Sequence, residues 1–155
     1  MWAAFRIVVP RPMKTTELLY YVINALPAPL WLAWIAAPRS RLARTFAQAL
    51  WPWAILATLY VLLIGSAMFV FRGPPGADMS SLPGVMKIFS NEVATLGGWM
   101  HYLCFDAFVG RWMVNDAPEA GYKLSPVLLL TLFFGPAGLL LYLALRSKLR
   151  APGDL

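Results

Sequence analysis

The chain has 155 residues, the length of about one domain. Hydrophobic residues make up 60% of it and charged residues only 13%, whereas a soluble domain carries about 25% charge. Too few charges remain to coat a water-exposed surface, which excludes a disordered tail, a nucleic-acid-binding module and an ordinary cytosolic enzyme. The net charge of +6 comes from basic residues at the ends of apolar runs, as in membrane proteins.

The gaps between charged residues predict membrane spans, because a spanning helix needs about 20 apolar residues. Three gaps are long enough, at residues 18–38, 45–71 and 124–145. Residues 95–114 contain three ionisable side chains, but excluding this stretch would leave its aromatic residues in a loop. We therefore predict an all-α fold, one integral membrane domain over residues 1–155. It would be an antiparallel bundle of four transmembrane helices at about 16–38, 46–71, 95–114 and 124–145.

Helix-breaking residues fall near the middle of the first and fourth predicted spans. Pro27, Pro29 and the pair Gly135 and Pro136 should kink these two helices and free carbonyl groups at mid-depth. Free carbonyls in hydrocarbon need partners, so we expect a polar contact or a cavity at that level. Residues 1–12 are expected to form an interfacial tail, and residues 82–89 a helix lying flat on the membrane.

The distribution of lysine and arginine predicts the orientation. With four spans, the side that holds both termini carries eight basic residues, and the other side carries at most five. The positive-inside rule then puts both termini in the cytoplasm. The short basic loops favour a bacterial inner membrane.

Asp106 lies one residue from the centre of the third predicted span. A charge there costs roughly 2.5–3.5 kcal/mol, so Asp106 should face protein, be paired or carry a proton. Tyr102 lies one turn earlier on the same face, while His101 and Arg111 lie five residues to either side on other faces. These four residues are the candidate site. The alternative is a purely structural hydrogen bond between Asp106 and either Asn24 or a freed carbonyl.

Other expectations concern the remaining polar and aromatic residues. Arg111 either takes part in the site, reaches the interface or pairs with Asp116 or Glu119. His101, Cys104 and Asp106 offer few ligands for a metal ion, and the sequence has only one histidine to ligate haem. We therefore predict no metal and no cofactor. Six tryptophans suit the interfacial belts. They are Trp31, Trp34, Trp51, Trp53, Trp99 and Trp112.

Two stretches carry a resemblance to a known family, namely residues 98–112 (GWMHYLCFDAFVGRW) and 134–142 (FGPAGLLLY). Further matching residues are Asn24, Pro29, Trp31, Leu32 and Pro38. Over nearly all of residues 16–146 the sequence resembles the abscisic-acid-deficient-four-like family of small membrane proteins. Cys104 and Ala107 depart from the alanine and leucine expected there, which affects packing and not the polar residues.

Plant members of that family are required for neoxanthin synthesis in plastids, so the resemblance implies a link to xanthophylls. Conversion of violaxanthin to neoxanthin opens an epoxide and forms an allene with no net redox change, which needs an acid and a base. His101, Asp106 and Tyr102 would supply them, with Arg111 as an electrostatic helper.

Three functions stay open at this point. The first is a non-redox carotenoid isomerase acting on an epoxy-xanthophyll. The second is a non-enzymatic pigment-binding or lipid-binding protein, or an accessory subunit of a membrane complex. The third is a small proton-coupled transporter using Asp106. The sequence lacks the inverted repeats of such proteins, which argues against this function. Expected partners are the lipid bilayer and a carotenoid or other long apolar ligand, with no nucleic acid; a homo-oligomer is left open.

Overall fold

A computed structural model describes residues 12–149, and within them the fold is all-helical, as predicted. The helices are α1 (Thr15–Ala25), α2 (Ala28–Ala36), α3 (Arg41–Gln48), α4 (Trp51–Gly65), α5 (Leu82–Ile88), α6 (Glu92–Asp116) and α7 (Ser125–Leu149). A π-helical turn, Ser66–Val70, continues α4, and a 3-10 turn, Gly121–Lys123, precedes α7. The tail predicted for residues 1–12 lies, apart from Pro12, outside the described residues.

Three stretches are long and apolar enough to cross a membrane: Thr15–Ala36, Trp51–Val70 and Gly121–Leu149. They correspond to the first, second and fourth predicted spans. The third predicted span falls within α6, which has 25 residues but also charged side chains along its length. α6 packs against α1, α2, α3, α4 and α7, so it is the central helix of the described fold.

α1 and α2 form one interrupted helix that runs parallel to α6. Near its start, the Thr16 hydroxyl donates to the Glu92 carboxylate at 2.7 Å, at the first residue of α6. Further along, Trp31 lies against Gly110, where a side chain on the glycine would collide with the indole ring. The interruption falls at residues 26–27 because Pro27 has no N–H to continue the helical hydrogen bonds.

α4 runs antiparallel to α6, and short helices lie at the two ends of this pair. The Trp53 ring near the start of α4 meets Phe108 at 5.9 Å between centroids, while Ile64 near its end lies against Gly97. α3 packs on α6, and its Ala47 carbonyl lies near the C-terminal end of α6. The residue that follows α5, Phe89, packs against Gly98 at the other end.

α7 turns back on itself at Phe134 and Gly135, the two residues in it whose backbone angles are not helical. Before the turn, α7 runs antiparallel to α6. The Thr131 hydroxyl lies 3.7 Å from the Met113 sulfur, and four residues later Gly135 packs directly against Asp106. The turn therefore lies beside the middle of α6.

After the turn, α7 returns toward the C-terminal end of α6. The Tyr142 hydroxyl donates to Asp116 at 2.5 Å, and Arg146 donates to both oxygens of the same carboxylate at 2.7 and 2.8 Å. A straight helix would carry Arg146 about 16 Å past the turn in the opposite direction, far from Asp116. The fold-back is tight, because a side chain on Gly138 would overlap the backbone of Thr131.

The kink predicted for the fourth span is thus a hairpin, and the predicted bundle of four spanning helices is not confirmed. The two halves, residues 125–133 and 136–149, are about 14 and 21 Å long, so neither covers about 30 Å of hydrocarbon alone. The stretch is long and apolar enough for a span, but its contacts show that both of its ends lie toward the C-terminal end of α6. The first and last described residues consequently lie at opposite ends of α6.

Two tryptophans expected in the interfacial belts lie instead in the core. Trp31 is 2% exposed and Trp34 0% exposed, and both belong to the cluster that joins α2, α6 and α7. The indole N–H of Trp34 donates to the Ala43 carbonyl at 3.1 Å, which satisfies its polar group without water. Burial of these rings fixes α2 against the C-terminal half of α6.

Candidate functional site

Asp106 is buried in the protein at the tip of the α7 hairpin. Its side chain is 8% exposed, and its Oδ2 atom has no hydrogen-bond partner among residues 12–149. Gly135 makes this position available, because a Cβ at that residue would overlap the carboxyl group. A buried carboxyl oxygen without a partner is costly, and such groups in membrane-embedded helices are commonly functional.

Tyr102 connects Asp106 with the hairpin tip. Its hydroxyl donates to the carbonyl of Phe133, the residue before the turn, at 3.1 Å. Tyr102 also interacts electrostatically with Asp106, one helical turn further along α6. Because a phenol has a single proton to donate, a full hydrogen bond to one of these acceptors weakens the bond to the other.

A groove of about 320 Å³ lies beside this pair, between the interruption of α1–α2, the middle of α6 and the hairpin tip. Its wall consists of Asn24, Pro27, Ala28, Trp31, Leu32, Ile35, Trp99, Tyr102, Leu103, Leu132 and Phe133. Tyr102 is therefore part of the groove wall, and Asp106, one helical turn further along α6, is not.

Asn24 does not bind Asp106, which was one of the two structural alternatives for this acid. Its amide nitrogen donates to the Tyr20 carbonyl at 2.6 Å, and its oxygen accepts a hydrogen bond from the Trp99 indole at 3.1 Å. Trp99 also packs on Tyr102, with 5.2 Å between ring centroids. Asn24, Trp99 and Tyr102 thus form the polar side of the groove.

His101 is exposed on another face of α6. Its ring lies 4.6 Å from the Phe105 centroid and 5.5 Å from that of Tyr60 on α4. Five residues along a helix rotate the side chain by about 140°, so His101 and Asp106 project in different directions. The structure does not bring His101 to the groove.

Arg111 caps the end of α3. Its Nε donates to the Ala47 carbonyl at 2.6 Å, and its guanidinium lies over the rings of Trp53 and Phe108 at 5.9 and 5.7 Å. Asn115 donates to the same carbonyl at 3.0 Å. Of the four candidate residues, the structure brings together only Asp106 and Tyr102.

Sequence reasoning missed the cluster at the open end of the hairpin. Asp116, expected as an alternative partner of Arg111, binds Arg146 and Tyr142, and Arg146 also lies 5.9 Å from the Trp112 ring. The signal available in the sequence was the Gly135-Pro136 dipeptide, which marks turns as well as kinks. A reversal there would have placed Arg146 near Asp116.

No three His, Cys, Asp or Glu side chains among residues 12–149 come together as a metal site would require. Cys104 is half-buried on α6. The polar groups of the groove are an amide, an indole and a phenol, which suit hydrogen bonding to a neutral ligand.

These features define a small all-helical protein with membrane-compatible helices, a helical hairpin and a buried acid near an apolar groove. The family model for ABA DEFICIENT 4-like proteins matches residues 18–142, and the chain belongs to this family. The Arabidopsis thaliana "Protein ABA DEFICIENT 4, chloroplastic" is 26% identical over 117 residues. The match covers 72% of this chain and 52% of that protein, so the chain spans about half the length of this relative. No solved structure matches the chain.

The name of the Arabidopsis relative places that protein in the chloroplast. For this chain, the helices support an association with a membrane. The bacterial inner membrane and the cytoplasmic placement of the termini stay predictions from the sequence.

Proposed function

We propose that the protein crosses the membrane three times, through α1–α2, α4 and α6, and that α7 dips into the bilayer and returns. α6 supports this because it is about 37 Å long and runs beside α1–α2, which is apolar enough to span. The non-helical backbone of the hairpin tip is tolerated at mid-depth because it packs against α6.

Within this framework, the protein is a non-redox isomerase of an oxygenated carotenoid, for which an epoxy-xanthophyll is the model substrate. The observation that carries the proposal is the buried carboxyl of Asp106, whose Oδ2 atom has no hydrogen-bond partner among residues 12–149. It lies one helical turn from Tyr102, which lines an apolar groove. Family membership supports the carotenoid, and the Tyr102–Asp106 pair supports proton transfer.

The proposed reaction uses one proton and returns it. The Tyr102 hydroxyl binds the epoxide oxygen, and a proton carried by Asp106 passes through Tyr102 to that oxygen as the C–O bond breaks. A proton then leaves the polyene, and the electron pair of its C–H bond forms the new double bond of the allene. That proton returns to Asp106 by the same route, so the product is an isomer and the protein is unchanged.

The test is pigment analysis of violaxanthin-containing membranes with and without the protein. We expect a new isomeric pigment with the wild type, and its loss in Asp106→Asn and Tyr102→Phe, because each variant removes one member of the proton route. His101→Ala is the matched control and should retain the product, since its side chain lies on another face of α6. An unchanged pigment profile with folded wild-type protein would reject the isomerase.

The second candidate function is a non-enzymatic pigment-binding protein. It is favoured because Asp106 is not part of the groove wall. A binding protein needs only the groove and not the acid. It predicts that the purified protein is coloured, that the pigment leaves unchanged on extraction, and that Asp106→Asn retains it.

A further inference from the structure

The side-chain amide of Asn24 is oriented by two neighbours. Because the Trp99 indole N–H can only donate, the Asn24 oxygen must face it, and the nitrogen then faces the Tyr20 carbonyl. An amide nitrogen carries two hydrogens, and the Tyr20 carbonyl takes one of them. Within residues 12–149 no acceptor is present for the second, so Asn24 has one donor to offer on the wall of the groove.

This donor lies near the middle of the proposed bilayer. Asn24 is the tenth residue of the span Thr15–Ala36, about 14 Å from its first residue, and the hydrocarbon core is about 30 Å thick. Water is scarce at that depth, so an N–H group without a partner is unfavourable. A ligand oxygen in the groove would remove this penalty.

Apart from Trp99 and Tyr102, the rest of the groove wall is apolar, and the groove extends in one direction from Asn24. Along α1–α2 its wall runs from Asn24 to Ile35, about 16 Å, and the residues between are apolar. No charged side chain is part of the described wall, so the groove offers nothing to neutralise an ionised ligand.

From these observations we infer that Asn24, positioned by Trp99, is a specificity residue that binds a neutral acceptor oxygen at one end of an apolar ligand of half-bilayer length. An epoxide or a ketone has the right chemistry, because each accepts a hydrogen bond and donates none. This inference rests on the proposed function, which uses the same groove. It adds the depth in the bilayer at which the acceptor oxygen of the ligand is bound. A xanthophyll lying across the membrane with its rings at the two interfaces does not place an oxygen at this depth, so the inferred ligand reaches the middle of the bilayer with its oxygenated end.

The experiment compares two probes in lipid nanodiscs: a polyene of half-bilayer length with a terminal ketone, and the same polyene as a hydrocarbon. Binding is measured by quenching of tryptophan fluorescence, since Trp31 lines the groove in every variant. For the wild type we expect the ketone to bind about 3- to 10-fold more tightly, the gain of one net hydrogen bond. Asn24→Leu should show a smaller preference for the ketone, because only the Tyr102 hydroxyl then remains in the groove to donate to it.

Trp99→Phe keeps an aromatic ring but removes the N–H that orients Asn24, so the preference should fall without loss of hydrocarbon binding. Asn115→Leu is the control for removing an asparagine from another part of the fold, and it should keep the full preference. Equal binding of the two probes to the wild type, or an undiminished preference in Asn24→Leu, would overturn the role of Asn24. Either result would leave the isomerase test on violaxanthin-containing membranes standing, whereas a failure of that test alone would leave the recognition of the ketone intact.

Discussion

α1–α2 and α7 are both interrupted by proline near their middle, but only α7 reverses its direction. In α1–α2 the residues at the break stay close to helical angles, with φ −59° and ψ −49° at Leu26 and φ −79° and ψ −8° at Pro27. In α7 the angles are φ −139° and ψ 32° at Phe134 and φ 12° and ψ −82° at Gly135. The first break therefore interrupts hydrogen bonding, and the second changes the path of the chain.

The difference comes from what surrounds each proline. Gly135 and Gly138 let the two halves of α7 approach each other and Asp106, which side chains there would prevent. The returning half is then held at its far end by Arg146 and Asp116. α1–α2 has no glycine at its break, and its start is tied to the start of α6. A proline near mid-span thus gives a hairpin only where small residues and a tertiary contact favour the return.

The largest expected effect is on the sidedness of the termini. With Cys104 replaced by alanine, we place single cysteines at the exposed positions Met13→Cys and Ser147→Cys and label intact cells with a membrane-impermeant maleimide. Three crossings and a hairpin predict that one cysteine reacts and that the other reacts only after the membrane is opened. Labelling of both cysteines from the same side of the membrane would contradict the hairpin and would support four straight spanning helices.

The second expected effect is on stability. Gly135→Ala should lower the free energy of unfolding by about 2 kcal/mol, since its methyl group would overlap the Asp106 carboxyl in a packed site. Gly65→Ala is the control: nothing lies within 4 Å of the added methyl group, and alanine favours the helix by up to about 1 kcal/mol. Unfolding in mixed micelles measures both. Equal effects of the two substitutions would show that the tip does not pack on Asp106.

Most helices of the fold follow from hydrophobicity alone. The gaps between charges locate α1–α2, α4 and α7 within a few residues, because burial in lipid demands long apolar runs. The direction of α7 after Gly135 does not follow from such a run. It depends on the contact of Gly138 with Thr131 and the bond of Arg146 to Asp116, which bring together residues distant in sequence.

The candidate site was predictable only where its residues share one helix face. Tyr102 and Asp106 are one turn apart on α6, so helical periodicity places them together. Arg111 and His101 came from the same stretch of sequence, but their partners, Ala47 and Tyr60, lie on other helices. The role of Asn24 depends on Trp99, 75 residues away, and no local pattern indicates that contact.

The smallest expected effect is a difference in stability between the two ion pairs at the ends of α6, Arg146–Asp116 and Lys14–Glu92. Arg146→Met removes a bidentate ion pair to Asp116, whose side chain is 11% exposed, and should lower the free energy of unfolding by more than the loss of a fully exposed pair does. Lys14→Met removes a single contact to Glu92 between side chains that are 48% and 56% exposed, and should cost at most about 0.5 kcal/mol. Unfolding in mixed micelles at low and high salt measures both. Because the exposed pair is screened by ions, raising the salt should abolish the small cost of Lys14→Met and leave most of the cost of Arg146→Met. Equal costs for the two variants would mean that the returning half of α7 is not held by its contact with Asp116.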